Sequence, residues 1–200
     1  MSATRRPDPG SGPVSSSWFF QGGPMPTILL HADEIDRIIE RLASQVIERH
    51  GQCEGLVLLG IQRRGVDIAK RLGAVLNQRL GREVLFCSLD INLYRDDWTT
   101  PLGKPVIGES FIPVSLDGKD VLLVDDVLFT GRTIRAALEA ILDYGRPRRV
   151  ELLVLVDRGH RELPIHADYV GRSVNTARDE QVNVLLHERD GKDEVTIERA

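Results

Sequence analysis

The run Val121-Leu122-Leu123-Val124-Asp125-Asp126-Val127-Leu128-Phe129-Thr130-Gly131-Arg132-Thr133 constrains this chain more than any other, because it joins a buried strand, a carboxylate pair and a phosphate-sized turn without interruption. Val121 to Val124 are all apolar, the pattern of a strand covered on both faces, and Ile134 to Tyr144 continues with helical periodicity. A strand-to-helix turn is expected between them. At such a turn the backbone N–H groups of Phe129 to Thr133 lack helical partners, and the helix dipole and the Thr130 and Thr133 hydroxyls serve the same anion. Asp125 and Asp126, acceptor-only when ionised, repel phosphate but accept hydrogen bonds from vicinal sugar hydroxyls. The expected ligand is a ribose 5-phosphate group. A capping acid alone would account for one carboxylate, not two.

Two other phosphate loops are excluded, since the run has neither the Gly-Lys-Ser/Thr ending of a P-loop nor a Gly-x-Gly-x-x-Gly fingerprint. An apolar strand, two acids, a short apolar link and Thr-Gly-x-Thr together resemble the phosphoribosyl pyrophosphate (PRPP) motif of type I phosphoribosyltransferases.

The 200 residues suffice for one well-buried α/β domain, expected over residues 27–200. No apolar stretch is long enough to span a bilayer. Cys53 and Cys87 each stand alone among apolar neighbours, so neither a disulfide framework nor a thiolate metal site is expected, and a reducing cytoplasm fits. A net charge of −4 argues against indiscriminate coating of nucleic acid and leaves a local basic face open. Residues 1–26 are rich in Ser, Gly and Pro, with Trp18-Phe19-Phe20 the one apolar cluster, and are expected to form a disordered extension. Arg5-Arg6 is not followed by the apolar segment of an export signal. Met25 lies just before the first regular element, as it would if the preceding segment came from an upstream start.

From residue 27 onward strand and helix alternate. Ile35, Ile38, Ile39, Leu42 and Val46 recur at helical spacing, with Asp33 expected to cap the helix and Gly51 to end it. Gly55 to Gly60 reads as a strand, Val66 to Leu80 as a helix, Val84 to Ile91 as a second apolar segment and Val150 to Val156 as a further strand. This order predicts βαβ units and a mainly parallel central sheet flanked by helices, with ligands at the carboxyl ends of its strands. Val182 to His187 and Val195 to Ile197 are expected to close the fold as a pair of strands, and Trp98 to Lys104 to form a loop.

Three further segments carry candidate chemistry. Gly60-Ile61-Gln62-Arg63-Arg64-Gly65 leaves one strand and enters a helix, so Arg63, Arg64 and the Gly65 amide suit a pyrophosphate, which guanidinium forks match in a bidentate way. Asp90 to Asp97 opens onto a loop with little packing incentive, and closure would bring Tyr94, Arg95 and Asp96 over a reacting centre that water must not reach. Asp157-Arg158-Gly159-His160-Arg161 follows a strand and is too polar to extend it, so its backbone N–H and C=O groups are candidates to match a pyrimidine edge. His160 has no serine or cysteine nucleophile near it, and ligation of a metal by protein side chains is not expected.

Taken in order, these segments resemble the PyrR family, bifunctional pyr operon regulators and uracil phosphoribosyltransferases, over about Thr27 to Arg199. The most specific stretches are Asp90 to Asp97, Val121 to Ala136 and Leu155 to Gly171. The resemblance implies a type I phosphoribosyltransferase fold with a small base-binding hood, Mg²⁺ bound through PRPP, uracil as acceptor, UMP as product and a homodimer or higher homo-oligomer. It assigns Asp125 and Asp126 to the ribose hydroxyls, Val127 to Thr133 to the ribose phosphate, Arg63 to Gly65 to pyrophosphate and Asp157 to Arg161 to uracil. Asp126, Arg64 and Arg95 become the catalytic residues. It also implies leader mRNA of a pyr operon as a partner, met by Arg41, Arg161, His166 and Arg172. Glu40 and Ser44 stand where a Thr and a His are expected, and His166 replaces an arginine, so the RNA face departs from the family pattern. A phosphoribosyltransferase for another base, such as hypoxanthine or orotate, and without an RNA role, stays open as the alternative.

Overall fold

The computed structural model describes residues 26–95 and 109–199; the expectations for residues 1–25, Asp96 and the Trp98–Lys104 loop lie outside them. Five apolar runs become the strands of one parallel sheet: β2 (Leu56–Ile61), β3 (Leu85–Leu89), β4 (Asp120–Leu128), β5 (Arg149–Asp157) and β6 (Tyr169–Ser173), in the order β3-β2-β4-β5-β6. β1 (Thr27–His31), β7 (Glu180–Leu185) and β8 (Glu194–Arg199) form a separate antiparallel sheet in the order β1-β8-β7, the hood above one end of the larger sheet.

Side chains alternate across the parallel strands and so feed two cores. Leu58, Leu122 and Leu153 join α1 (Ala32–His50) and α2 (Arg64–Leu80) through Leu42, Ile68 and Leu72. On the opposite face Val57, Leu123 and Val154 meet α3 (Arg132–Ile141) through Ile134, Ala137 and Ile141. Each such side chain contributes roughly 1.5–3 kcal/mol when fully removed from water, which fixes the helices on the sheet.

Order reversal places the site. The chain runs from β2 outward to β3, then returns across β2 to β4, so adjacent β2 and β4 send their following segments to opposite faces and leave a crevice at their carboxyl ends.

Several boundaries differ from expectation. β4 runs past Val124 to Leu128, because Asp125, Val127 and Leu128 continue to pair with Val154, Val156 and Asp157 of β5; the acid pair therefore sits inside the strand. α1 is capped at His31 rather than at Asp33: the Glu34 carboxylate accepts the His31 backbone N–H at 3.0 Å, while Asp33 ion-pairs with Arg37 at 2.9 Å. Gly51 ends α1 as expected, with φ 57°. β1 and β6, five residues each, were not expected as strands. Among the described residues no helix is long and apolar enough to cross a membrane.

Candidate active site

Two adjoining cavities flank the end of β4. The first, about 290 Å³, is lined by Val127 to Ile134 and by Arg95. Its floor is the turn between β4 and α3, where Gly131 takes φ 93°, a left-handed conformation that L side chains rarely adopt. Space would also oppose a side chain, since a Cβ at Gly131 would meet Ile165 at 3.3 Å. Gly131 thus turns the chain into α3, whose first residues, Arg132, Thr133 and Ile134, line the cavity, with the Arg132 N–H donating to Thr130 Oγ1 at 3.3 Å. The turn is braced from outside: the Thr130 carbonyl accepts N–H groups of Glu162 and Leu163 at 3.0 and 3.3 Å, and Arg132 Nε donates to Glu162 at 2.8 Å.

Asp125 is buried, and one of its oxygens accepts the Asp126 backbone N–H at 3.0 Å; Asp126 in turn accepts the Val127 N–H at 2.9 Å. Burial, with the Asp126 carboxylate next to it, pushes the Asp125 carboxyl well above the ordinary carboxylate range. A carboxyl that keeps its proton also donates one hydrogen bond, so the pair offers a sugar both acceptors and a donor with less repulsion of phosphate.

The second cavity, about 320 Å³, brings Gln62, Arg63, Arg64 and Arg95 against Asp125, Asp126 and Thr133. Gly65 makes this approach work. A Cβ there would lie 2.4 Å from the Val124 carbonyl oxygen and 3.1 Å from Asp125 Cα, so only glycine lets the first turn of α2 lie on β4. Arg64, the first residue of α2, contacts both Asp190 carboxylate oxygens through Nη2, at 3.1 and 3.2 Å.

Of the residues expected to form a lid, Arg95 lines both cavities, whereas Tyr94 turns away: its hydroxyl donates to Asp143, a bond that pushes the phenol up to about 12, and its carbonyl accepts Arg135 at 2.9 Å.

Asp157 to Arg161 packs behind the phosphate turn. Arg158 is buried with its guanidinium 4.0 Å from the centre of the Phe129 ring, and His160 meets the same ring edge-on at 6.1 Å. Burial holds the Arg158 guanidinium below its usual value. Arg161 donates to the carbonyls of Leu128, Phe129, Gly159 and Ile165, and to Asp157 at 2.5 Å. These side chains hold the turn's back; none of the five lines either cavity.

A third cavity of about 480 Å³ lies between Arg64, Asp126, Val127 and the hood, where Gln181, Asn183 and Lys192 face it. Sequence reading missed these residues. The alternation Gln181-Val182-Asn183-Val184 was the available signal of a strand with one polar face.

Of the expected RNA residues, Arg41 and Arg172 border one shallow cavity, while Arg161 is turned inward onto backbone carbonyls. Arg172 and His166 are exposed, and Arg41 donates to the carbonyls of Val170 and Gly171. Glu40 and Ser44 both engage Arg79 of α2, so the Glu40 charge is locally neutralised.

The family model for the phosphoribosyl transferase domain matches residues 27–188. "Bifunctional protein PyrR" of Syntrophobacter fumaroxidans is 50% identical over 173 residues, covering 86% of this chain and 93% of the relative. The protein of that name from Pelotomaculum thermopropionicum is 52% identical over 169 residues, covering 84% and 93%. Among solved structures, a hypoxanthine phosphoribosyltransferase of Trypanosoma cruzi aligns with a TM-score of 0.64 at 19% identity over 86% of this chain and 96% of its own. At that identity the likeness speaks for the fold alone. Half of all residues shared along nearly the whole length of the PyrR relatives speaks for more: the chain belongs to the phosphoribosyl transferase family and, within it, to the PyrR group.

Proposed function

We propose that the protein is a uracil phosphoribosyltransferase, converting uracil and PRPP to UMP and pyrophosphate, and that its UMP-bound form regulates a pyr operon by binding leader RNA. One observation carries the enzymatic reading: the acid pair, the phosphate turn and the Arg63–Arg64 segment border adjoining cavities at a single strand switch point. In this reading the turn from Val127 to Thr133 holds the 5′-phosphate, Asp125 and Asp126 hold the ribose hydroxyls, and Arg63, Arg64 and the Gly65 amide receive pyrophosphate. Uracil N1 forms a bond to the anomeric carbon as the bond to pyrophosphate breaks. Asp126 stabilises the positive charge that develops on the sugar, and Arg64 and Arg95 neutralise the leaving group.

Uracil enters between the hood and the strand ends, with the Asp157 to Arg161 segment approaching its edge while the side chains of that segment keep the turn rigid. The lid comprises Tyr94, Arg95 and Asp96. Mg²⁺ enters bound to PRPP itself rather than to protein side chains. Carried in this way, the ion would offset charge on the diphosphate. The regulatory reading is supported by Arg41 and Arg172 beside one shallow cavity, by the exposed His166 and by the pairing of Glu40 with Arg79. We place the catalytic domain at residues 27–200, in a homodimer or higher oligomer working in the cytoplasm.

A PRPP-dependent assay over uracil, hypoxanthine and orotate tests the enzyme. Uracil is expected to be the preferred acceptor; turnover of a purine with none of uracil would sink the assignment. Asp126→Asn with wild-type turnover and PRPP affinity would remove Asp126 from its role. A UMP-dependent gel shift with the organism's own pyr leader tests regulation, and no retardation at micromolar protein would remove it.

A further inference from the structure

Arg64 is a long side chain at the mouth of a cleft, and an unheld arginine loses rotamer freedom when it is fixed by a ligand. The structure holds it in advance. Asp190, the last residue of the short helix α4 (His187–Asp190), lies 126 positions away in sequence and meets Arg64 Nη2 with both carboxylate oxygens. Asp190 is itself immobilised, accepting the Leu186 N–H at 2.8 Å and donating its own N–H to Leu186 O at 2.7 Å. The Leu186 N–H, and then the Arg64 guanidinium, hold the Asp190 carboxyl below the usual range, so it is anionic at neutral pH.

This contact is not what docks α4. Arg189 already pairs with the buried carboxylate of Asp67 and donates to the Arg63 carbonyl at 3.2 Å, and Arg71 pairs with Glu188 at 2.6 Å and Asp193 at 2.7 Å. Against that lattice the Arg64–Asp190 pair is redundant for packing. It is not redundant for aim, because Arg64 borders both the acid-pair cavity and the hood cavity. Arg64 Nε is buried without a hydrogen-bond partner, so the guanidinium is not fully paired within the protein.

We propose that Asp190 is a positioning residue for the leaving group: by engaging only Nη2 it fixes the Arg64 guanidinium at the cleft with donors left for pyrophosphate oxygens. The C-terminal hood thereby completes the diphosphate site, although it contributes no phosphate ligand of its own. This rests on the phosphoribosyltransferase reading above. A rival effect has the opposite sign, because a carboxylate beside the diphosphate also repels it and shares the Arg64 charge.

Calorimetric titration of Mg²⁺–PRPP, Mg²⁺–pyrophosphate and ribose 5-phosphate into wild type, Asp190→Asn, Arg64→Gln and the double variant decides between them. Asparagine keeps the acceptor for the Leu186 N–H. The expected result for Asp190→Asn is about ten-fold weaker PRPP and pyrophosphate, the scale of one charge-assisted hydrogen bond, with ribose 5-phosphate unchanged and no further loss in the Arg64→Gln background. Unchanged or tighter pyrophosphate, or losses that multiply in the double variant, would overturn the proposal while leaving the enzymatic reading in place. If Asp190→Asn does not fold, Arg64→Lys replaces it: weaker pyrophosphate with unchanged ribose 5-phosphate supports the pair, and wild-type affinity overturns it. A wild type that binds neither PRPP nor ribose 5-phosphate would instead overturn the reading of the site, and the inference with it.

Discussion

Gly65→Ala is the sharpest perturbation of the crevice. The new methyl would lie 2.4 Å from the Val124 carbonyl oxygen, 3.1 Å from Asp125 Cα and 3.2 Å from the Val124 carbonyl carbon, all backbone atoms that cannot rotate away. Ordinary carbon–oxygen contacts begin near 3.3 Å, so the first turn of α2 must retreat from β4 by about 1 Å. Arg64 moves with it. A misplacement of about 1 Å in a positioning element costs on the order of 10²-fold in rate, equivalent to about 2.7 kcal/mol. Stability also suffers, because overpacking costs about 1–3 kcal/mol while alanine regains up to about 1 kcal/mol of helix propensity. A net loss of about 0–3 kcal/mol lowers Tm by up to roughly 12 °C for a chain of this size. Gly73 provides the control within the same helix. A Cβ there would meet only the Leu58 Cδ1 methyl, at 3.3 Å, and the end of a flexible side chain can yield. Gly73→Ala should stay within about 1 kcal/mol of wild type and keep its kinetics. The assay is steady-state kcat/KM for PRPP beside a thermal melt. Gly65→Ala retaining kcat/KM to within about three-fold would refute the close-approach argument.

Asp125→Asn should stabilise the ligand-free protein at neutral pH while weakening ribose binding. The raised Asp125 carboxyl costs stability as pH rises above the unfolded value near 3.9, where the unfolded chain loses its proton before the folded one does. The excess Tm of the variant should therefore be present at pH 7 and shrink as pH falls toward about 4; a pH-independent difference would contradict this. Arg161→Met strips donors from four carbonyls and leaves Asp157 without its cation, and with water replacing part of the loss we expect about 2–4 kcal/mol of destabilisation in thermal or denaturant unfolding. Arg161→Lys should recover little, since three donors on one compact nitrogen cannot span the four carbonyls and the carboxylate that the three guanidinium nitrogens reach. A cost below about 0.5 kcal/mol, typical of surface substitutions, would show that the braces are dispensable.

What the sequence disclosed was local. The apolar run, the acid pair and Thr130-Gly131-Arg132-Thr133 are contiguous, so strand, turn and helix could be placed from neighbours alone, and the parallel sheet followed from alternation. Boundaries set by pairing could not be read this way. β4 extends to Leu128 because β5 continues beside it, and β6 is a strand because Tyr169 and Val170 find partners on β5, in segments too short to show a period. Side-chain allegiance was the least legible. Arg161 and Arg158 looked like groups for a base or an RNA, yet they meet carbonyls and an aromatic ring brought near by the β4–β5 register. The Arg64–Asp190 pair and the polar face of β7 depend on how the hood settles over the crevice, which no local pattern encodes.

The account stands on Val121 to Thr133 being a ribose-phosphate cradle, and one titration tests that directly. Ribose 5-phosphate, 2-deoxyribose 5-phosphate and ribose are to be titrated into the wild type and into Asp125→Asn/Asp126→Asn. The cradle predicts that ribose alone binds undetectably and that the deoxy sugar phosphate binds at least about ten-fold more weakly than its ribose parent, as loss of a hydrogen bond to a charged group requires. In the double variant that gap should close. Equal affinity of the wild type for the two sugar phosphates would contradict the account, because the acid pair would then not be reading the hydroxyls.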